Sequence, residues 1–128
     1  MGRVSRRIKQ LYEESDLTFS ETSVLTRLAH GGEMTPSQLA ALEHVRPQAM
    51  GNTLTALEER KLIKRRPDPA DGRKVQISIA AAGRALLAAK SEEINELLRR
   101  AVADGFSSDE LRKLAAAVPL LERLADRL

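Results

Sequence analysis

The chain has 128 residues, 42% of them hydrophobic, and a net charge of +3, which argues for one domain, alone or with dimerisation elements, and against global disorder. Cys is absent, which excludes disulfides, thiol redox sensing and cysteine metal sites and fits a reducing compartment. No apolar run approaches membrane-spanning length and the opening MGRVSRRIKQ has no apolar signal core, so a cytoplasmic protein is expected.

One Tyr, two Phe and no Trp leave an aliphatic core, a composition that favours helices. The first predicted helix covers residues 3–15, with Val4, Ile8 and Leu11 on one face and Arg6, Arg7 and Lys9 elsewhere. A second helix starts at Thr18, which forms a T-x-x-E capping box with Glu21, and stops at Gly31-Gly32. A third starts at Thr35. Pro36 takes the first turn, where a missing N–H costs nothing, Gln38 closes another box, and the helix ends near His44.

Pro47 opens a fourth helix, expected to run to about residue 61. Its inner face should pack on the third helix through Leu39 and Leu42. Residues 62–66 and 75–79 read as two strands; in the second, Val75, Ile77 and Ile79 face one way and Gln76 and Ser78 the other. The two prolines of the intervening PDPADG cannot donate ladder hydrogen bonds and are assigned to the hairpin tip. A long helix over residues 80–103 carries Leu87, Ile94 and Ala101 at a spacing of seven and breaks at Asp104-Gly105. Ser107 and Glu110 cap a last helix to residue 128. There Leu111, Leu114, Val118, Leu121, Ala125 and Leu128 alternate spacings of three and four, a coiled-coil seam. Pro119 should kink this helix near residues 115–119.

Charge is distributed unevenly along these elements. Residues 61–75 hold six Lys/Arg and two Asp/Glu, a net +4, while residues 1–60 sum to −1 and residues 76–128 to zero. Basic charge concentrated on one hairpin is a better sign of a polyanion partner than a diffuse basic pI. The order of short capped helix, tight turn, second helix and two-stranded hairpin is that of a winged helix-turn-helix. The expected fold is therefore mainly α with a small β-hairpin wing.

At 100° per residue, Met50, Thr53, Leu54 and Leu57 share one face of the fourth helix, and Gln48, Asn52, Thr55 and Glu59 the other. Amide and hydroxyl side chains can pair with base edges, and Gly51 at the flank lets the helix sit in a major groove about 12 Å wide. The helix start at Arg46, Pro47 and Gln48 presents N–H groups suited to a phosphate. Arg65, Arg66, Arg73 and Lys74 on the hairpin can reach phosphates and an adjacent narrow minor groove, where a planar cation is favoured. Asp71 can pair with Arg73 and direct it, and Gly72 would let the tip turn tightly.

The stretch from residue 20 to 83 resembles the MarR family of bacterial transcription regulators. The matching pieces are MTPSQLA at residues 34–40, VRPQAMGNTLTALEERKLIKRRPDPADGR at 45–73 and VQISIAAAG at 75–83. The resemblance implies a homodimer whose N- and C-terminal helices intertwine, with two winged domains on a palindromic operator. It also implies a small aromatic or anionic effector, often phenolic, bound between the dimer helices and the DNA-binding lobe. It carries a recognition role onto Arg46, Gln48, Asn52 and Thr55, and a wing role onto Arg73 with Asp71 as its partner. Residues 1–17 are assigned to an N-terminal dimerisation helix, 18–83 to the DNA-binding domain and 84–128 to C-terminal dimerisation helices. Val4, Ile8 and Leu11 and the seam residues Leu111, Leu114, Val118, Leu121 and Leu128 are the expected dimer contacts. Ala80 stands where relatives commonly carry a capping Thr, and Ser78 is the candidate substitute.

Plainer readings stand beside these. A basic hairpin can be a solvated surface loop, and a winged helix can bind protein rather than DNA; the scarcity of aromatics argues against the latter. Met50 reads as core, and His44 as a cap more than a phosphate contact. Two distant His and no Cys argue against a metal site. No Ser-His-Asp set and no phosphate-cradling glycine loop is present, so neither an enzyme nor a cofactor is expected.

Overall fold

The computed structural model describes residues 2–13 and 16–128, with Tyr12 and Glu13 described by their backbone alone. The elements in order are α1 (Gly2–Glu13), α2 (Phe19–Gly31), α3 (Pro36–Leu42), α4 (Pro47–Glu59), β1 (Ile63–Pro67), β2 (Val75–Ile79), α5 (Ala81–Gly105) and α6 (Ser108–Ala125). The expected residues 14 and 15 of the first helix lie outside the described residues. The chain forms two compact units, Met1–Ser91 and Glu92–Leu128, with the boundary inside α5.

The three expected capping boxes are all formed. Thr18, Thr35 and Ser107 each accept from the backbone N–H three residues on, and Glu21, Gln38 and Glu110 accept from the cap N–H in return. Backbone N–H groups that no helix turn can satisfy therefore find partners within the sequence's own first turn. At the other end of α2, Gly32 has φ 77°, a left-handed conformation that a side chain would strain. α3 and α4 stop differently. His44 (φ 55°) and Lys61 (φ 60°) take the left-handed position. The His44 and Lys61 N–H groups donate to the carbonyls of Ala41 and Glu58, and those of Val45 and Leu62 donate to Ala40 and Leu57. Each end is a Schellman stop built on a non-glycine residue.

The first unit's core joins Leu17, Val24, Leu25 and Leu28 to Leu39 and Ala40, then to Met50, Leu54 and Leu57, and closes on Leu62, Ile63 and Ile77. Leu42 is not part of it and stays 43% exposed. The reason is rotational. The core direction of α3 lies between Leu39 and Ala40, about 110° away from Leu42 at 100° per residue.

β1 and β2 pair antiparallel in the register Ile63 to Ile79 through Pro67 to Val75. Pro67 is thus the last ladder residue of β1, not part of the tip; its ring can sit there because the next hydrogen bond is made by Asp68, whose N–H donates to the Lys74 carbonyl. Met34 adds a one-residue third strand on the other side of β2, exchanging both backbone bonds with Ile77, at 3.1 and 2.7 Å. This bridge ties the middle of β2 to the segment that leads into α3.

α5 starts against β1 without a capping side chain from Ser78, which lies in the ladder opposite Lys64. The Ala80 N–H donates to the Leu62 carbonyl and the Arg84 N–H to the Ala80 carbonyl. Gly83 makes this approach possible. A Cβ there would lie 2.2 Å from the Leu62 carbonyl oxygen. Further along, Lys90 is buried and its Nζ donates to the Leu11 carbonyl, in the last turn of α1, at 3.0 Å.

α6 runs through Pro119 as one helix and ends at Ala125, short of the expected residue 128, and α5 ends at Gly105, at the expected break. α6 buries none of its residues. Leu114, Val118, Leu121 and Leu128 are all exposed, and so are Leu120 and Leu124 beside the seam; Leu111 is half-buried. In the first unit, Val4 and Ile8 on α1 are exposed as well.

Candidate nucleic-acid interface

The helix-turn-helix comes from two local stops of the chain. The Schellman end of α3 turns the backbone at His44, and two residues later Arg46 takes extended angles (φ −69°, ψ 149°) as the N-cap of α4, with Pro47 as its first residue. Proline fixes the φ a helix start needs and lacks the N–H that would be left over. No side chain caps α4, unlike α2, α3 and α6. Its first N–H groups therefore face outward beside the exposed Arg46, where an anion is favoured by the helix dipole.

α4 divides cleanly. Met50, Leu54 and Leu57 are buried, and Gln48, Asn52, Thr55 and Glu59 are exposed. Thr53 turns its hydroxyl back to the Ala49 carbonyl at 3.2 Å, which removes it from the outward set. Gly51 is half-buried, and a Cβ added there would meet nothing within 4 Å, so the space beside it is open. Behind α3 and α4, Glu43 accepts from Ser23 Oγ at 2.6 Å and from the Arg27 guanidinium, which holds the turn on α2.

The wing loop is organised by Asp68, a residue the sequence reading passed over. Its Oδ1 accepts from the N–H groups of Ala70 (2.8 Å) and Asp71 (3.4 Å), and its Oδ2 from Gln76 Nε2 (2.8 Å). The Gln76 amide and then the loop N–H groups hold the Asp68 carboxyl below the usual carboxylate range. The Pro-Asp-Pro run carried the signal, since Asp in that setting folds its side chain back on the backbone two residues on. Gly72 does not take a left-handed conformation; among the described glycines only Gly32 does.

The four wing cations are placed differently from one another. Arg73 reaches outward with its side chain 94% exposed; its N–H and its Nε both face Asp71 Oδ1, at 3.1 and 3.4 Å. Lys74 is exposed. Arg65 instead pairs with Glu58 of α4 through Nε. Arg66 forms a two-armed pair with Glu33, Nε to Oε1 at 2.7 Å and Nη2 to Oε2. That pair holds the Glu33 carboxyl low and the guanidinium high. Neither acid was singled out in the sequence, because the spacings of 7 and 33 residues follow no local rule.

A hollow of about 550 Å³ opens along α2, lined by Phe19, Thr22, Ser23, Thr26, Arg27 and His30 with Gly31 and Met34. Among the described residues no group of three or more His, Cys, Asp and Glu is placed to hold a metal ion, and no helix is long and apolar enough to cross a membrane.

The MarR family model matches residues 17–75. An uncharacterised HTH-type transcriptional regulator of Mycobacterium bovis is 34% identical over 124 residues, covering 97% of this chain and 86% of the relative. A crystal structure of a Pseudomonas aeruginosa protein assigned as a transcriptional regulator superposes with TM-score 0.83 at 34% identity, over 97% of this chain and 86% of that one. A mutant MarR from E. coli complexed with operator DNA shares the fold, with TM-score 0.71 at 22% identity, over 96% of this chain and 89% of that one. The winged helix-turn-helix described above and these likenesses along nearly the whole chain agree: the protein belongs to the MarR family of transcription regulators.

Proposed function

We propose that the protein is a sequence-specific double-stranded DNA-binding transcriptional regulator, a repressor that acts in the cytoplasm as a homodimer on a palindromic operator. One observation carries this reading. α4 exposes Gln48, Asn52 and Thr55 in a row, beside an uncapped helix start at Arg46 and Pro47, with the Asp71-directed Arg73 of the wing on the same lobe. Amides and hydroxyls read base edges, helix starts and cations hold phosphates, and together they perform the two tasks that sequence-specific binding requires. The fold likeness extends to a MarR captured on operator DNA.

Dimerisation is favoured by the apolar side chains that the single chain leaves in solvent. Val118 and Leu121 on α6, Leu128 just beyond it, and Val4 and Ile8 on α1 are between 45% and 97% exposed, and large apolar side chains gathered on one helix face are commonly covered by a partner. An effector of aromatic chemistry suits the α2 hollow, where Phe19 offers a ring and Thr22, Ser23, Thr26 and His30 offer polar edges. Occupation there would shift the segment through Met34, whose backbone bonds anchor β2.

Selection of bound duplexes from a random pool tests the reading. Enriched sequences should show two inverted half-sites about 10 bp apart, centre to centre. Loss of one bidentate base contact through Gln48→Ala or Asn52→Ala should relax preference at one position per half-site by roughly 1–3 kcal/mol. Failure to enrich any duplex at low salt sinks the proposal.

A further inference from the structure

We infer that Arg65 and Arg66 do not hold DNA phosphates but brace the wing, with Glu58 and Glu33 as their positioning partners. This rests on the DNA-binding reading above. The two pairs leave the hairpin in different directions. Arg65 is tied to Glu58 in the last turn of α4, three residues beyond Thr55. Arg66 is tied to Glu33, the residue between the left-handed Gly32 and the Met34 bridge. One pair thus fastens β1 to the recognition helix, and the other fastens it, past β2, to the entrance of α3. Between them the middle and outer ladder pairs, Arg65 with Ile77 and Arg66 with Gln76, are held from two sides, and the tip carrying Arg73 is aimed by the strands just behind it.

The geometry separates these two cations from the tip. A guanidinium whose Nε and Nη2 both donate to one carboxylate has its fork occupied, and the fork is the part that grips a phosphate. To bind DNA through Arg66, the protein would have to break two charge-assisted bonds and leave Glu33 facing a polyanion. Arg73 meets no such cost. Its side chain is 94% exposed against 35% for Arg65 and 49% for Arg66, and its Asp71 contact spans 3.4 Å. Exposed ion pairs contribute little to global stability, so the braces act on where the wing points more than on whether the domain folds.

Charge reversal distinguishes a brace from a phosphate contact. Binding of a labelled duplex from the selection above would be measured across roughly 50–200 mM salt. The variants are Arg66→Glu, Glu33→Arg and the two combined, with the Arg65 and Glu58 set in parallel and Arg73→Gln as reference. Each single reversal should weaken binding about fivefold, the most that an exposed pair supplies. The double reversals should return to within about twofold of the wild type with the salt slope unchanged, whereas Arg73→Gln lowers the slope by about 1 for each subunit. Exchange of the Asp68 and Lys74 amides, read on the free protein, should quicken in the single reversals and recover in the doubles. Double reversals as weak as Arg66→Glu or Arg65→Glu, with a lowered slope, would show direct phosphate contacts and overturn the inference. So would single reversals that bind and exchange like the wild type. The exchange arm is independent of DNA, so a protein that binds no duplex defeats the functional reading while the brace itself is still decided.

Discussion

Arg73 and Gly51 show what single residues contribute to the interface. Arg73 is the most exposed of the wing cations that form ion pairs, and Asp71 restricts its direction without burying it. Arg73→Ala is expected to weaken operator binding and to lower the slope of log affinity against log salt by about 1 per subunit, measured by anisotropy titration. Gly51 sits inside α4 although glycine costs a helix about 1 kcal/mol relative to alanine, and among the described residues nothing lies within 4 Å of where its side chain would be. Gly51→Ala should therefore raise the thermal stability of the free protein by about 0.5–1 kcal/mol while weakening operator binding. A variant more stable and equally tight would mean that DNA does not approach this flank. Both residues were legible from the sequence, Arg73 from its place after Asp71 and Gly51 from its place on the helix wheel. Glu33 and Glu58 were not, because their partners are set by the fold of the hairpin rather than by spacing, whereas Asp68 carried a local signal in its Pro-Asp-Pro setting.

At the scale of elements, the hairpin depends on one close approach at its root and one carboxylate at its tip. Gly83 lets α5 pass the end of β1, and a methyl group there would sit 2.2 Å from the Leu62 carbonyl oxygen. Backbone cannot yield as a flexible side chain does, so Gly83→Ala should destabilise the protein by about 1–3 kcal/mol in denaturant unfolding. The wing loop depends on the ionised Asp68. Its folded carboxyl lies below the unfolded value because Gln76 and the loop N–H groups favour the charged form. The stabilisation is therefore complete above the unfolded value near pH 4 and is lost as pH falls through the lowered folded one. The Ala70 amide resonance should titrate in that acid range, and Asp68→Asn should abolish the titration. The capping boxes and the α4 start were readable because each is complete within four or five residues. The Met34 bridge was not, since one residue has no period, and neither was the exposure of Leu42, which follows from the direction in which α3 meets its neighbours.

For the whole molecule, the open question of burial lies in the helices outside the winged lobe. α6 carries a seam of Leu111, Leu114, Val118 and Leu121, continued by Leu128 beyond its end, and buries none of its residues within one chain. In the homodimer proposed above, a second copy would cover this face. Leu121→Glu is expected to shift the sedimenting species to a monomer. Operator affinity should fall by about 100-fold or more, since two linked half-site contacts exceed one by at least that factor. A variant that remains dimeric would place the interface elsewhere. Tethering Lys90 to the last turn of α1 gives the first helix a fixed attachment to α5, a contact between residues 79 apart that no sequence pattern announces.

The sequence by itself determined what neighbouring residues can decide among themselves. Helix starts, helix stops, the inward and outward faces of α4 and the basic, proline-broken hairpin all follow from hydrogen bonds and side-chain periods that close within a turn or two. The tertiary structure alone decided which cations reach outward and which are held against a remote carboxylate. Arg65, Arg66 and Arg73 are equivalent as letters, but the carboxylates of Glu58 and Glu33 reach the first two only when α4 and the α2–α3 connection are folded against the hairpin. Electrostatic pairing depends on distance in space, and distance in space between remote segments is set by the core that packs them.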